Sequence, residues 1–480
     1  MTERATPARE RVEAWAAVAL FAAFRLPWLV RLPPWTDEIF TLGVVAQPFR
    51  DMVVSQADDQ TNPPLFYLAL WAWRAAGPHS LWWSRLLPCL FGILLALPVL
   101  SICRRARLGA AATALALSLV AASQALIFHS NELRNYSLYA LLAAWSLALW
   151  LRVRERATRR DLLLLTAVNV ALVNTHYVGC VVVAVEWIDA AGWARARLRA
   201  ITLSAAVTAC SLLPWLWLVA RRARRSGDVL GNAGWIPRPS VGDLFDPYRW
   251  ILGRSPWIAV DLALLVALGG LLALHVTRSR RSNPATTPLA LLAFAPSLIV
   301  LAVSMLTPMS IWVARYVLAC AVPFLVLTAA ALTETPPAPL RRFAILFALW
   351  PAALSVTAIV DGTEKVRYDR LAAQMVAASS PRRADVFTSN WVEGGPLAFQ
   401  ARRLGGVMNV AYTPSPSALT ATEGWFVWSE HHPPPGPPPT VLLHRHGYRT
   451  GDALSAAGMW DDMQGRTDSV VAVPFHRDPR

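Results

Sequence analysis

Apolar stretches of about twenty residues recur along the first 360 residues of this chain, and that is the length an α-helix needs to cross the ~30 Å hydrocarbon layer of a bilayer. They fall at 13–32, 86–102, 110–129, 133–153, 162–190, 200–220, 256–276, 289–306, 313–331 and 343–360. A soluble domain has nowhere to put so many such segments. With 55% hydrophobic residues and 22 tryptophans in 480, the chain reads as a polytopic helical membrane protein. The formal charge of +15 does not point to nucleic acid, because the arginines cluster in short segments between the apolar runs.

The stretch 162–190 decides the topology. Read as one helix, it would put the basic residues before it (Arg152, Arg154, Arg156, Arg159, Arg160) and after it (Arg195, Arg197, Arg199) on opposite faces. Two short crossings turning at 174–177 keep both clusters on the cytoplasmic side. About eleven spans with a cytoplasmic N-terminus follow. No cleavable leader is expected, since the first run lacks a small-residue cleavage site. The cluster Arg221, Arg222, Arg224 and Arg225 breaks the pattern and falls outside, facing lipid phosphate or substrate unless a span is miscounted. The five cysteines lie in or beside apolar runs with no CxxC spacing and read as buried small side chains.

Beyond residue 361 the character changes. The segment 368–379, YDRLAAQMVAAS, reads as an amphipathic helix, while ADVFTSN (384–390), GWFVWSE (424–430) and TVLLHRH (440–446) read as strands between Pro- and Gly-rich turns. Two domains are expected: a membrane domain over 1–361 and a small extracytoplasmic α/β domain over 362–480. PPPGPPP at 433–439 reads as a stiff exposed loop.

Four outer-face constellations could carry chemistry. Asp37 and Glu38 form an acidic pair just past the first apolar run, where a carboxylate could deprotonate a hydroxyl; a solvated loop acid is the plainer reading. Asp58, Asp59 and Asn62 precede Pro63 and Pro64 and an aromatic stretch suited to the headgroup zone, or simply to a helix start. His129, Glu132, Arg134 and Tyr136 cross a tight turn, with Arg134 entering a spanning helix; such an arginine meets an anion, pairs internally with an acid such as Glu132, or snorkels. His176, Tyr177, Arg315 and Tyr316 sit at outer helix ends, where His176 alone would pass for a satisfied interfacial histidine.

The ordered set TDEIFTLGV, NPPLFYLALW, SRLLPCLFGILLALPVL, NELRNYSLYALLAAWSLALW, THYVG and RYVLACAVPFLVL resembles membrane glycosyltransferases of the GT-C fold. The likeness is to glycosyltransferase family 39 and its relatives, which include protein O-mannosyltransferases and lipid A aminoarabinose transferases, and it covers about the first 335 residues. It implies a GT-C membrane domain and transfer of a hexose or pentose from a polyprenyl-phosphate donor to a hydroxyl of a lipid, glycan or protein on the outer face. Its acidic loop Asp matches Asp37, which would act as general base in an inverting reaction, with Glu38 positioning loop or acceptor. Arg134 and Arg315 would neutralise the leaving phosphate, with His176, Tyr136 and Tyr316 around phosphate or sugar and Asp58 or Asp59 as possible second acids. No metal is required, though two carboxylates beside phosphate could hold Mg²⁺ or Mn²⁺. The rival reading is a transporter or flippase, for which Asn169, Glu186, Asp189 and Asp261 would be the polar residues to invoke. Arg- and Ala-rich, Lys-poor composition suggests a bacterial inner membrane.

Overall fold

The computed structural model describes residues 7–29, 31–156, 158–192, 194, 197–226, 236–255, 257–335, 337, 342, 345–346, 349–350, 353, 365–379, 383–405, 407–430, 433–434, 436–459 and 467–477. The chain divides into two compact units, one made of Met1–Leu29 and Val44–Thr357, the other of Val30–Gly43 and Ala358–Arg480.

The first unit is helical. Among the described residues, six of its helices are long and apolar enough to cross a membrane, and a seventh span is formed if Ala110–Ala122 and Gln124–Ser130, bent by 52°, count as one. The bend falls at Ser123, which leaves helical geometry (ψ 120°) and donates its hydroxyl to Ile251 O at 2.7 Å. Burial explains the pattern of hydrophobicity. Ala321–Glu334 is buried at every position from Ala321 to Thr333 and is apolar all round, as a helix enclosed by other helices must be. Leu198–Ser211 and Leu213–Ser226, by contrast, bury few residues and turn Leu203, Val207, Leu213 and Trp217 outward, as lipid-facing helices do.

The stretch 162–190 is two helices, Arg159–Val173 and Gly179–Ala191, joined by a turn at 174–178. Most of the expected last span, 343–360, and Arg195 lie outside the described residues. The polar residues that would serve a transporter are satisfied by protein. Glu186 accepts from Ser146 Oγ and from Asn169 Nδ2 (2.9 Å), and Asp189 accepts from Trp150 Nε1 (2.9 Å) and Arg154. Asp261 accepts from Arg249 Nη2 (2.9 Å) and Ser255 N (3.1 Å).

The second unit carries a six-stranded mixed sheet: β1 Ala384–Thr388, β2 Met408–Tyr412, β3 Glu423–Ser429, β4 Tyr448–Thr450, β5 Leu454–Met459 and β6 Thr467–Arg477. The order is β2-β1-β3-β6-β4, with β5 also on β6; β1 runs parallel to β2 and β3, and β6 antiparallel to the rest of its neighbours. Helices Tyr368–Ala378 and Trp391–Arg403 pack on it around Leu371, Met375, Leu397, Trp425 and Val427. The expected strand at 440–446 is instead part of a helix, Pro439–Arg445. Pro439 at its first position presets the backbone and needs no amide partner, so the apolar run VLL starts a helix.

Candidate functional site

In the first unit the sequence-predicted cations and rings converge. The helix Gln124–Ser130 ends in a tight turn before Tyr136–Glu155, and the turn holds His129 Nδ1 against Glu132 Oε2 at 2.7 Å, both side chains buried. Two residues on, Arg134 is buried and donates Nη1 to the Tyr67 hydroxyl at 3.1 Å. Gly92 makes room for this turn: a Cβ there would meet Ser130 Oγ at 2.0 Å and Arg25 Nε at 2.9 Å. Arg25, also buried, donates to that same Ser130 Oγ at 3.2 Å.

Arg315 enters from the short 3-10 segment Ala314–Cys320. Its guanidinium lies over the Tyr136 ring at 5.5 Å and the Tyr316 ring at 5.9 Å, a cation held against two π-faces. His176, in the turn between the two short helices, stacks on Tyr139 at 4.7 Å and meets Tyr316 edge-on at 4.9 Å, with Tyr136 at 5.9 Å. Val178 N donates to His176 Nδ1 at 3.2 Å, so the proton of the neutral ring is assigned to Nε2. That Nε2 is buried and has no hydrogen-bond partner among the described residues. Burial, and then the charges of Arg315 and Arg134, push the imidazole down from its ordinary value to about 3. The cluster therefore brings two permanent cations beside one neutral N–H donor, a charge balance that suits a polyanionic group such as phosphate.

Three features were not read from the sequence. Asn135 donates Nδ2 to Asn62 Oδ1 at 2.9 Å and to Thr175 O at 2.6 Å, tying the turn that carries Arg134 to the segment leading into the helix of Tyr67 and to the turn that carries His176. Trp250, on the helix Phe245–Leu252, packs against His129 at 5.0 Å and beneath the Arg254 guanidinium at 5.2 Å. Arg254 thus adds a cation between the apolar runs 200–220 and 256–276; the aromatic-basic run YRWILGR was its only signal. Third, Arg222 forks onto Asp58 with two 2.7 Å bonds, giving one arginine of the anomalous outer cluster a partner. Asp59 accepts from the Thr61 hydroxyl.

Asp37 and Glu38 belong to the second unit, in the first turn of the helix Thr36–Val45. Acids there suit the helix N-terminus. Glu38 is fully buried and accepts from Lys365 Nζ at 2.8 Å and from Trp35 N at 3.4 Å. Asp37 is half-buried and its carbonyl accepts from Thr41 Oγ1 at 2.8 Å. Among the described residues no group of three or more His, Cys, Asp or Glu could hold a metal ion.

An apolar helical body that spans the membrane several times, joined to a small C-terminal sheet, is the architecture of the GT-C glycosyltransferases, and the chain has that fold. It is similar to ArnT from Cupriavidus metallidurans in the apo state, with 14% identity over 97% of this chain and 98% of that one and a TM-score of 0.56. It is also similar to the same ArnT bound to undecaprenyl phosphate, with 14% identity, 98% of each chain covered and a TM-score of 0.54. No protein-family model matches the chain, and comparison with curated proteins gives no match.

Proposed function

We propose that this multi-pass protein is a glycosyltransferase that moves a sugar from a polyprenyl-phosphate donor to a hydroxyl of a lipid, glycan or protein at the outer face of a bacterial inner membrane. The observation that carries the reading is the convergence of Arg134, Arg315 and the neutral His176 N–H among the rings of Tyr67, Tyr136, Tyr139 and Tyr316 in a GT-C-fold chain. The ArnT of similar fold holds undecaprenyl phosphate, a ligand of the matching chemistry.

In the proposed reaction the acceptor oxygen attacks the anomeric carbon while Asp37 takes its proton. The bond from that carbon to the lipid phosphate breaks, and the phosphate leaves with the electron pair, so configuration inverts. Arg134 and Arg315 compensate the charge that grows on the phosphate, and the His176 Nε2–H donates to it. Tyr136 and Tyr316 set their rings against the Arg315 guanidinium, and Tyr67 bonds Arg134. Glu38 positions the helix start that presents Asp37. Asp58 is engaged by Arg222 and serves structure in this scheme, as does Asp59 through Thr61. The chemistry calls for no metal, and Mg²⁺ or Mn²⁺ in the assay is the check. The C-terminal unit is read as extracytoplasmic.

The test is sugar release from a panel of labelled polyprenyl-phosphate hexoses and pentoses by purified protein in lipid, with crude acceptor extract and with or without divalent metal. The expected result is turnover of one donor that is abolished in Asp37→Asn and strongly reduced in Arg315→Ala. Turnover unaffected by Asp37→Asn would remove Asp37 as the base. Absence of turnover with every donor would defeat the transferase reading.

A further inference from the structure

The chain contains a single lysine, Lys365, against dozens of arginines. That lysine is 5% exposed, and its ammonium sits 2.8 Å from the fully buried Glu38 carboxylate, 327 residues earlier in the chain and within the same unit. Where every other cationic position is arginine, a buried lysine marks a site whose shape admits a compact point charge and not a planar fork. The Trp35 ring lies 5.8 Å from Nζ, on a residue of the same helix start as Glu38. Glu38 stands three residues after Trp35 and reaches back to its amide, as an acid in the first helical turn does when it closes a helix start. Ile39 N bonds Trp35 O at 3.0 Å, completing the first turn, and Thr36 Oγ1 donates to Val392 O at the start of the helix Trp391–Arg403.

We propose that Lys365 is a positioning residue for Asp37: by holding Glu38, it fixes the helix start on which the neighbouring Asp37 is mounted, so the C-terminal unit sets the geometry of the base. The inference rests on the reading of Asp37 as the general base given above. Lys365 touches no substrate in this scheme. Its effect reaches the reaction through orientation, which is sensitive to displacements of about 1 Å, on the order of a hundredfold in rate.

Because no other side chain bears a primary amine, reaction of Lys365 with an amine-directed reagent reports the latch directly, with the same protein unfolded in denaturant as reference. In the full-length protein in lipid, Lys365 is expected to label at least tenfold more slowly than in the same protein unfolded in denaturant, and Glu38→Gln is expected to speed its labelling while Asp37→Asn leaves it unchanged. In the donor assay, Lys365→Met and Lys365→Arg are expected to lower kcat by tenfold or more with donor KM within about twofold, and Glu38→Gln with Lys365→Met to be no worse than either alone. Rapid labelling in wild type, or wild-type kcat in Lys365→Met, overturns the proposal. If the wild type turns over no donor, the transferase reading fails, while slow labelling relieved by Glu38→Gln still establishes the latch and leaves only its link to Asp37 refuted.

Discussion

Arg315 shows how a membrane protein keeps a cation where one is costly. Two tyrosine rings lie within 6 Å of the guanidinium, and their π-faces favour the charged group there. Arg315→Ala is expected to lower kcat/KM by about 10²-fold or more, as loss of a preorganised donor does. Arg315→Lys should recover only part of this, since an ammonium cannot stack or fork; steady-state rates with the preferred donor check both. Tyr67→Phe removes one hydrogen bond to a charged group and should cost about tenfold, chiefly in KM. His176 supplies a pH test. Its folded value near 3 lies below the ordinary 6.5, so between those values the unfolded chain binds a proton that the folded one refuses. Stability therefore falls as pH drops through that window and is unaffected above it. His176→Gln should lessen the loss in melting temperature between pH 7.5 and pH 4.5, and the activity profile between pH 6.5 and 8 should keep its shape in that variant.

At the scale of elements, the knot formed by Asn135 does what no single helix can: it fixes three loops from three parts of the chain through one side-chain amide. Asn135→Ala removes two hydrogen bonds. Asn135→Asp instead turns a carboxylate toward two oxygens and should destabilise more, by about 2–4 kcal/mol against about 1–2 for alanine; thermal unfolding in lipid or detergent measures the difference. The sequence made some elements easy to read and hid others. Charge asymmetry alone showed that 162–190 is two helices, because each arginine cluster had to return to the same side. The strands β1 and β3 stand out as β-branched and aromatic runs, but β6 does not. Pro474 within TDSVVAVPFHR argues against a central strand. It is accommodated because β5 pairs only as far as Ala472 and β4 begins at Phe475, leaving the proline at the junction of the two partners. The Asn135 knot and the Lys365–Glu38 pair were invisible for a different reason: contacts between residues so distant in the chain leave no local pattern, whereas Arg134, His176 and Arg315 were marked by being polar at apolar helix ends.

For the whole molecule, the change in composition near residue 362 hints at a second folding unit but cannot reveal that Val30–Gly43 belongs to it. That membership ties a segment next to the first apolar run to a sheet at the far end of the chain, so both must lie on one side of the membrane. The arginine clusters predict which side: those around Arg104, Arg152 and Arg280 inside, and the acidic loop with the C-terminal unit outside. A cysteine placed at the exposed Ser417, in a background with the exposed Cys180 and Cys210 replaced by alanine, should react with a membrane-impermeant thiol reagent in intact spheroplasts. A cysteine at the exposed Arg280 should react only after the membrane is opened. The reverse pattern would put Asp37 on the cytoplasmic face and turn the proposed donor chemistry to that side. Reaction of both in intact cells would mean that the number of crossings between them is even, and that a span assigned from the apolar pattern alone is absent or doubled.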